Sequence, residues 1–330
     1  MDRFLLNRVF ESFTGKKILV VGDVMVDAYV WGSVSRISPE APVPVVSVDK
    51  KEYRLGGSAN VAKNLKSLGA VPIICSVIGD DDAGKIFRNL LAENEMTDNG
   101  IITSNNRRTT VKTRIISSSQ QLLRIDEEDI YDAGFNDSEA LVNVVGNFIK
   151  EGVDAIVFED YDKGVLTKET IDRIIELANQ HGVITTVDPK KRNFLHYHNV
   201  TLFKPNLKEI KEGLNVEIHP SEKEKFVETA KSFLQEKGFE NLVVTLSEYG
   251  IFGMAKTGDY KFFPAEKRSI ADVSGAGDTV ISVLTLCLTA GCSLEDAIYI
   301  ANLAGGLVCE KVGVVPVDKT ELYDEVVERI

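Results

Sequence analysis

Asp272-Val273-Ser274-Gly275-Ala276-Gly277-Asp278-Thr279 runs directly into residues 280–288, an apolar stretch with helical spacing. It reads as a glycine-rich turn opening a helix, with a carboxylate planted in the first turn. Such a helix start carries unpaired backbone N–H groups and the positive end of the helix dipole, which favours an anion there. The two glycines let the backbone come close to that anion, and Asp278 supplies a base where phosphate charge would develop. The plainer reading is a glycine-bearing helix start capped by Ser274. Of the chemistries open to this chain, phosphoryl transfer is the one the stretch states most directly.

Working outward from that helix, short apolar runs alternate with helical patterns. Strands are predicted at 18–21, 73–77, 155–158, 184–187, 201–203 and 242–245, and helices at 59–68, 83–93, 138–151, 168–181, 222–237, 278–290 and 294–311. Continuous apolar strands alternating with helices predict a three-layer α/β/α architecture around a largely parallel sheet. Residues 29–53 and 109–124 break the rhythm: they are rich in Val, Ile, Thr and Ser without helical periodicity, and read as strands of a small β lid. We see no repeat and no linker, so residues 1–330 are taken as a single domain. Ligands of open α/β sheets bind beyond the carboxyl ends of the strands. Polar clusters follow the strands there, at 22–27, 159–164, 188–190, 204–209 and 246–250.

Composition narrows the partners. A net charge of −12 offers no basic surplus for nucleic acid or an anionic membrane. No apolar stretch is long enough to span a bilayer, and the start is not a signal peptide, so a cytoplasmic protein is expected. Cys75, Cys287, Cys292 and Cys309 show no metal spacing and read as reduced thiols. Gly79-Asp80-Asp81-Asp82-Ala83-Gly84-Lys85-Ile86 nearly spells a P-loop, but Ile86 replaces the hydroxyl that binds magnesium and three carboxylates would repel a triphosphate. No dinucleotide fingerprint follows the first strand, and His196 and His198 lack the partners of a metal pair. Gly56-Gly57-Ser58-Ala59-Asn60 is more informative: two glycines let a backbone pass close to a polar ligand, and Asn60 offers a donor and an acceptor to hydroxyls. Asp23 and Asp27 are either a polyol's acceptors or solvated turn residues.

These stretches together resemble the ribokinase-like (PfkB-type) carbohydrate kinases over nearly the full length. The first signature is Gly56-Gly57-Ser58-Ala59-Asn60 continuing to Gly69 and Gly79, with Ser58 where the pattern prefers Gly, Ala or Pro; the second is residues 272–278. Within the family the chain is most similar to the branch acting on D-glycero-β-D-manno-heptose 7-phosphate. The similarity lies in residues 35–45, Thr113-Arg114, residues 120–126, Val187-Asp188-Pro189-Lys190, and Pro205-Asn206-Leu207 with Glu209. The acidic run at 158–163, Lys190-Lys191-Arg192 and Lys208 depart from the family pattern.

The resemblance implies Asp278 as catalytic base toward the sugar hydroxyl that attacks ATP, with the Gly275-Ala276-Gly277 backbone as an anion hole. It implies Asn206 and Glu209 at the nucleotide site, Glu209 organising Mg²⁺ through water, and Thr245, Ser247 and Gly250 lining the nucleotide. Asp23, Gly56, Gly57 and Asn60 would bind sugar hydroxyls. Arg36, Lys112, Arg114, Lys163 and Lys190 are the cations for the substrate phosphate, and Asp272 belongs to a loop that binds K⁺ in some relatives. A homodimer through the lid is expected. The four histidines, 181, 196, 198 and 219, form no H-x-G-H motif of the nucleotidyltransferase often fused to such kinases, so a kinase alone is expected. The rival readings are a kinase for fructose phosphate, ribose or a nucleoside, and a non-catalytic sugar-binding regulator.

Overall fold

The computed structural model describes residues 2–117, 120–266 and 268–330. The strands are β1 (Lys17–Gly22), β2 (Val24–Ile37), β3 (Pro44–Gly57), β4 (Val71–Gly79), β5 (Ile101–Ser104), β6 (Val111–Ser117), β7 (Gln120–Glu127), β8 (Ala155–Glu159), β9 (Ile184–Asp188), β10 (Leu202–Phe203), β11 (Asn241–Thr245), β12 (Ile251–Ala255) and β13 (Tyr260–Phe263). Among the described residues they form two sheets. The larger runs β13-β12-β11-β10-β9-β8-β1-β4-β5, and the smaller β3-β2-β6-β7.

In the larger sheet every pairing from β5 across to β11 is parallel, and only the β11–β12 and β12–β13 pairings are antiparallel. β1 sits near its centre, and all its residues after Lys17 are buried. A strand covered on both faces has no solvent side, which is why its sequence is a continuous apolar run rather than an alternation. Its side chains divide between two cores. Ile18 and Val20 join the one formed with the helices Ser58–Ser67, Ala276–Thr289 and Leu294–Cys309, while Leu19 and Val21 join the one formed with Phe135–Glu151, Lys168–Gln180 and Lys223–Lys237.

The helix Ala276–Thr289 is buried on all sides from Asp278 to Cys287. Its polar residues find partners inside. Thr285 shares a hydrogen bond of 2.7 Å with Thr186 on β9, and Thr279 donates to Asn64 Oδ1 at 3.0 Å. Buried hydroxyls must be satisfied in this way, so these bonds fix the helix's rotation and height on the sheet. That height decides where Asp278 sits.

The expected lid is present and larger than predicted. β2 begins at Val24, directly after β1, and β3 extends to Gly57, while the second arm ends at Glu127. The alternation at both roots was hidden because residues 24–28 and 55–57 are buried on both faces. Not anticipated were β5, the antiparallel edge β12-β13, the terminal helices Arg3–Ser12 and Lys319–Val327, and the helix Leu207–Leu214, which begins inside the polar cluster at 204–209. The last predicted helix stops at Cys309 rather than Lys311. No helix among the described residues is long and apolar enough to cross a membrane.

Candidate active site

β8, β9 and β10 lie side by side and end on one rim. Glu159 and Asp188 are register partners at the ends of β8 and β9. Adjacent strands are about 4.8 Å apart, so the register sets these two carboxylates next to each other. Lys204 follows β10 at the same level, and its Nζ pairs with Asp188 at 2.8 Å. Phe158, Val187 and Phe203 point into the opposite core. Glu159, Asp188 and Lys204 therefore face the helix Ala276–Thr289.

That helix starts with Gly275 in the left-handed region (φ +81°) and no side-chain cap, so Ser274 does not cap it. A Cβ at 275 would also lie 2.8 Å from Val314 Cγ1, which accounts for glycine there on two grounds. The Ala276 N–H turns back to Val273 at 3.3 Å, whereas those of Gly275, Gly277 and Asp278 meet no acceptor among the described residues. Gly277 borders the Asp188–Lys204 pair, with room for a Cβ only 3.7 Å from Asp188 Oδ2.

Asp278 completes the arrangement. One carboxylate oxygen each from Glu159, Asp188 and Asp278 lies within 4.8 Å of the others. Burial, and then the charge of Asp188, push the Asp278 carboxyl up to about 6, against the opposing pull of Lys204 and of the Tyr161 hydroxyl, which donates to Oδ1 at 3.2 Å. A carboxylate near 6 is ionised at neutral pH yet holds a proton far better than an exposed aspartate, which suits a general base. Glu159 is raised well above the ordinary range, first by burial and then by Asp188 and Asp278.

Beside this centre, Asn206 and Glu209 form a capping box on the helix Leu207–Leu214, the Asn206 side chain accepting from the Glu209 N–H and the Glu209 side chain from the Asn206 N–H. The second Glu209 oxygen accepts from Lys190 Nζ at 2.5 Å. Thr245 bridges to Asn206 at the end of β11. Ser247 takes a left-handed φ of +53° in the turn that Gly250 closes.

The sequence profile of the "pfkB family carbohydrate kinase" group matches residues 15–320. The chain belongs to that family. The bifunctional protein HldE of Caulobacter sp. (strain K31) is 42% identical over 320 residues, covering 96% of this chain and 64% of that protein. The chain thus spans less than two thirds of that relative's length. Phosphofructokinase-2 from Escherichia coli in complex with potassium superposes with a TM-score of 0.75 at 19% identity, covering 95% of this chain and all of that one. Arabidopsis thaliana ribokinase complexed with ribose and ATP does so with a TM-score of 0.69 at 16% identity, covering 95% and 99%. In this ribokinase-like fold of a PfkB sugar kinase the rim of β8–β10 and the start of the helix Ala276–Thr289 face each other.

At the lid roots Asp23, expected to bind sugar hydroxyls, is turned inward instead. Its carboxylate accepts from the backbone N–H groups of Tyr161, Lys163 and Val165 at 2.9–3.1 Å and is 1% exposed. It holds the loop 160–165 in place. Asp27 is the acidic residue left at the lid root, paired with Arg114 Nη1 at 2.5 Å. Gly56 lies against it, since a Cβ there would collide with Asp27 Oδ2. Gly57 opens the helix carrying Asn60, whose side chain is buried without a hydrogen bond among the described residues.

The basic residues separate into two groups. Arg36 is exposed near the far end of β2, nine residues beyond Asp27 or about 30 Å along an extended strand, so the cleft of its own chain does not gather it. Lys112 and Lys163 converge on Glu128 at 3.1 and 2.8 Å. Lys190 lies over the Tyr161 ring besides reaching Glu209. Asp272 spends its two oxygens on the N–H groups of Ser274 and Gly313, at 2.9 and 3.1 Å, joining the two loops. Glu159, Asp188, Lys204 and Tyr161 were not singled out as site residues, although all four lie in the polar clusters expected on the rim, and Asp27 was left open between a polyol's acceptor and a turn residue. The first three were findable by the rule that polar residues directly after adjacent parallel strands share a rim; Tyr161 carried no signal of its own.

Proposed function

We propose that this kinase phosphorylates the anomeric hydroxyl of D-glycero-β-D-manno-heptose 7-phosphate from ATP, giving the 1,7-bisphosphate for ADP-heptose and lipopolysaccharide precursors, as one domain over residues 1–330. The observation that carries the transfer step is Asp278: a buried carboxylate titrating at about 6, in the first turn of a helix whose N–H groups are open to an anion. Asp278 takes the proton of the attacking hydroxyl. The N–H groups of Gly275 and Gly277, with Ala276 between them, meet the phosphoryl oxygens, and Asn206, Thr245, Ser247 and Gly250 line the nucleotide. The donor set at Glu209, hard carboxylate oxygen beside a polar rim, fits Mg²⁺ held through water. Magnesium when bound supplies charge neutralisation for the phosphates.

On the acceptor side, Asp27, Gly56, Gly57 and Asn60 meet sugar hydroxyls. Lys112 and Lys163, which already share one carboxylate, together with Arg114 and Lys190, meet the 7-phosphate. The heptose assignment rests on the matched stretches at 35–45, 113–114 and 120–126 and on the likeness to HldE over the part this chain spans. The loops joined by Asp272 are the place for K⁺. The apolar residues Val34, Ile37, Val48, Leu123 and Ile125 stand exposed on a lid whose edges β3 and β7 are unpaired among the described residues, which supports a homodimer formed lid to lid.

An assay of ADP release over a panel of sugars tests this reading. Heptose 7-phosphate should exceed fructose 1- and 6-phosphate, ribose and nucleosides in kcat/KM by at least tenfold. A better rate with any of the others transfers the assignment to that sugar, and no turnover with any of them leaves the binding regulator.

A further inference from the structure

We propose that Glu159, Asp188 and Asp278 form a divalent-cation site, ligated directly by carboxylate oxygen and filled by Mg²⁺ or Mn²⁺ without any nucleotide. The site is separate from the water-mediated ion assigned to Glu209, whose carboxylate is taken up by Asn206 and Lys190.

Three observations converge on it. The first is geometry: the three oxygens lie within 4.8 Å of one another. Oxygens on opposite sides of an ion with metal–oxygen distances of about 2.1 Å are about 4.2 Å apart. A cation in the middle therefore needs only a small inward movement of side chains that the register of β8 and β9 has already set together.

The second is the state of Glu159. It is 1% exposed, its Oε2 is buried with no hydrogen-bond partner among the described residues, and it is one of the three groups aimed into the cluster. A buried carboxylate is costly unless it is paired, protonated or bound to a metal. Lys204 does not meet that need, because its Nζ pairs with Asp188.

The third is charge. Around the centre stand the carboxylates Glu159, Asp188, Asp278 and Glu209, against the ammonium groups of Lys190 and Lys204. With a proton on Glu159 the excess is one negative charge; a divalent ion that displaces this proton meets four carboxylates against two ammonium groups and makes up the difference of two. Oxygen-only ligands select a hard cation over zinc or copper. With one oxygen of Asp278 on the ion, its other oxygen stays available to a hydroxyl.

The test uses the full chain, stripped with chelator and without sugar or nucleotide, so that its result does not depend on which sugar is phosphorylated. Mn²⁺ is titrated and bound ion counted by electron paramagnetic resonance, with the thermal shift recorded in parallel. The wild type should take up one Mn²⁺ per chain and melt higher as Mn²⁺ rises. Glu159→Gln should weaken Mn²⁺ binding at least tenfold. Asp154→Asn, which removes a carboxylate from the opposite end of β8, should bind within twofold of the wild type. A wild type that binds no Mn²⁺ overturns the proposal and leaves a proton on Glu159 in its place. A folded Glu159→Gln protein that binds Mn²⁺ as the wild type does also overturns it. Should Glu159→Gln not fold, the same tenfold weakening is read from Glu159→Ser, and the wild-type titration stands by itself.

Discussion

Replacing Asp278 by Asn separates what this carboxylate does for the reaction from what it does to the fold. As the proposed base it is worth about 10²–10⁴ in rate, or about 3–5 kcal/mol at 1.36 kcal/mol per decade. Asn keeps the shape and an acceptor for the Tyr161 hydroxyl but cannot take a proton. The open N–H groups of Gly275 and Gly277 are untouched, so the ATP dissociation constant should stay within about threefold. Stability should move the other way. The Asp278 carboxyl sits at about 6 against an ordinary 3.8, so keeping it ionised at pH 7 costs the fold about 3 kcal/mol at 1.36 kcal/mol per unit. Asn removes that cost. With an unfolding entropy of about 2.1 cal/mol/K per residue over 330 residues, Tm should rise by about 4 °C. Three readouts are needed: ADP release under saturating substrates, ATP binding by calorimetry, and thermal melting of the metal-free protein. A variant retaining more than a tenth of the wild-type rate refutes the base assignment. One that is inactive and melts lower refutes the account of its buried charge.

Further outcomes follow from the same centre. kcat/KM should fall tenfold per unit as pH drops below the point where Asp278 protonates, about 6 without a cation on it and lower with one; an acidic limb above 6 counts against it. Because this carboxyl's folded pKa is raised, its stabilising contribution is full below about 3.8 and lost as pH rises through about 6. Melting temperatures of wild type and Asp278→Asn should therefore converge on acidification. Tyr161→Phe removes a hydrogen bond that favours the ionised form, so the acidic limb should move to higher pH; an unmoved limb shows that the hydroxyl plays no part. Gly56→Ala drives a methyl group into Asp27. It should cost about 1–3 kcal/mol and raise the sugar KM, and unchanged values for both would remove Gly56 from the acceptor site.

The parallel sheet was legible in the sequence because strands buried on both faces, such as residues 18–21 and 155–158, stand out as apolar blocks between helical patterns. The lid was legible by its lack of helical period, but not its roots, where residues 24–28 and 55–57 are as buried as core strands. At the site, Asp278 announced itself through its glycines, and the capping box of Asn206 and Glu209 has a fixed spacing. Glu159, Asp188 and Lys204 come from three strands, and their neighbourhood is set by register rather than by local pattern. Asp23 and Asp27 look alike in sequence. Only the fold shows that one faces inward to three N–H groups and the other faces Arg114.

The loop 160–165 touches both ends of the cleft within three residues. Tyr161 reaches Asp278, and Lys163 reaches Glu128 just past the last lid strand, while Asp23 grips the N–H groups of both. Held in this way the loop behaves as a stiff lever instead of a slack tether. A displacement of the lid root carried through Lys163 is therefore expected to reach the Tyr161 hydroxyl, and with it the proton affinity of Asp278.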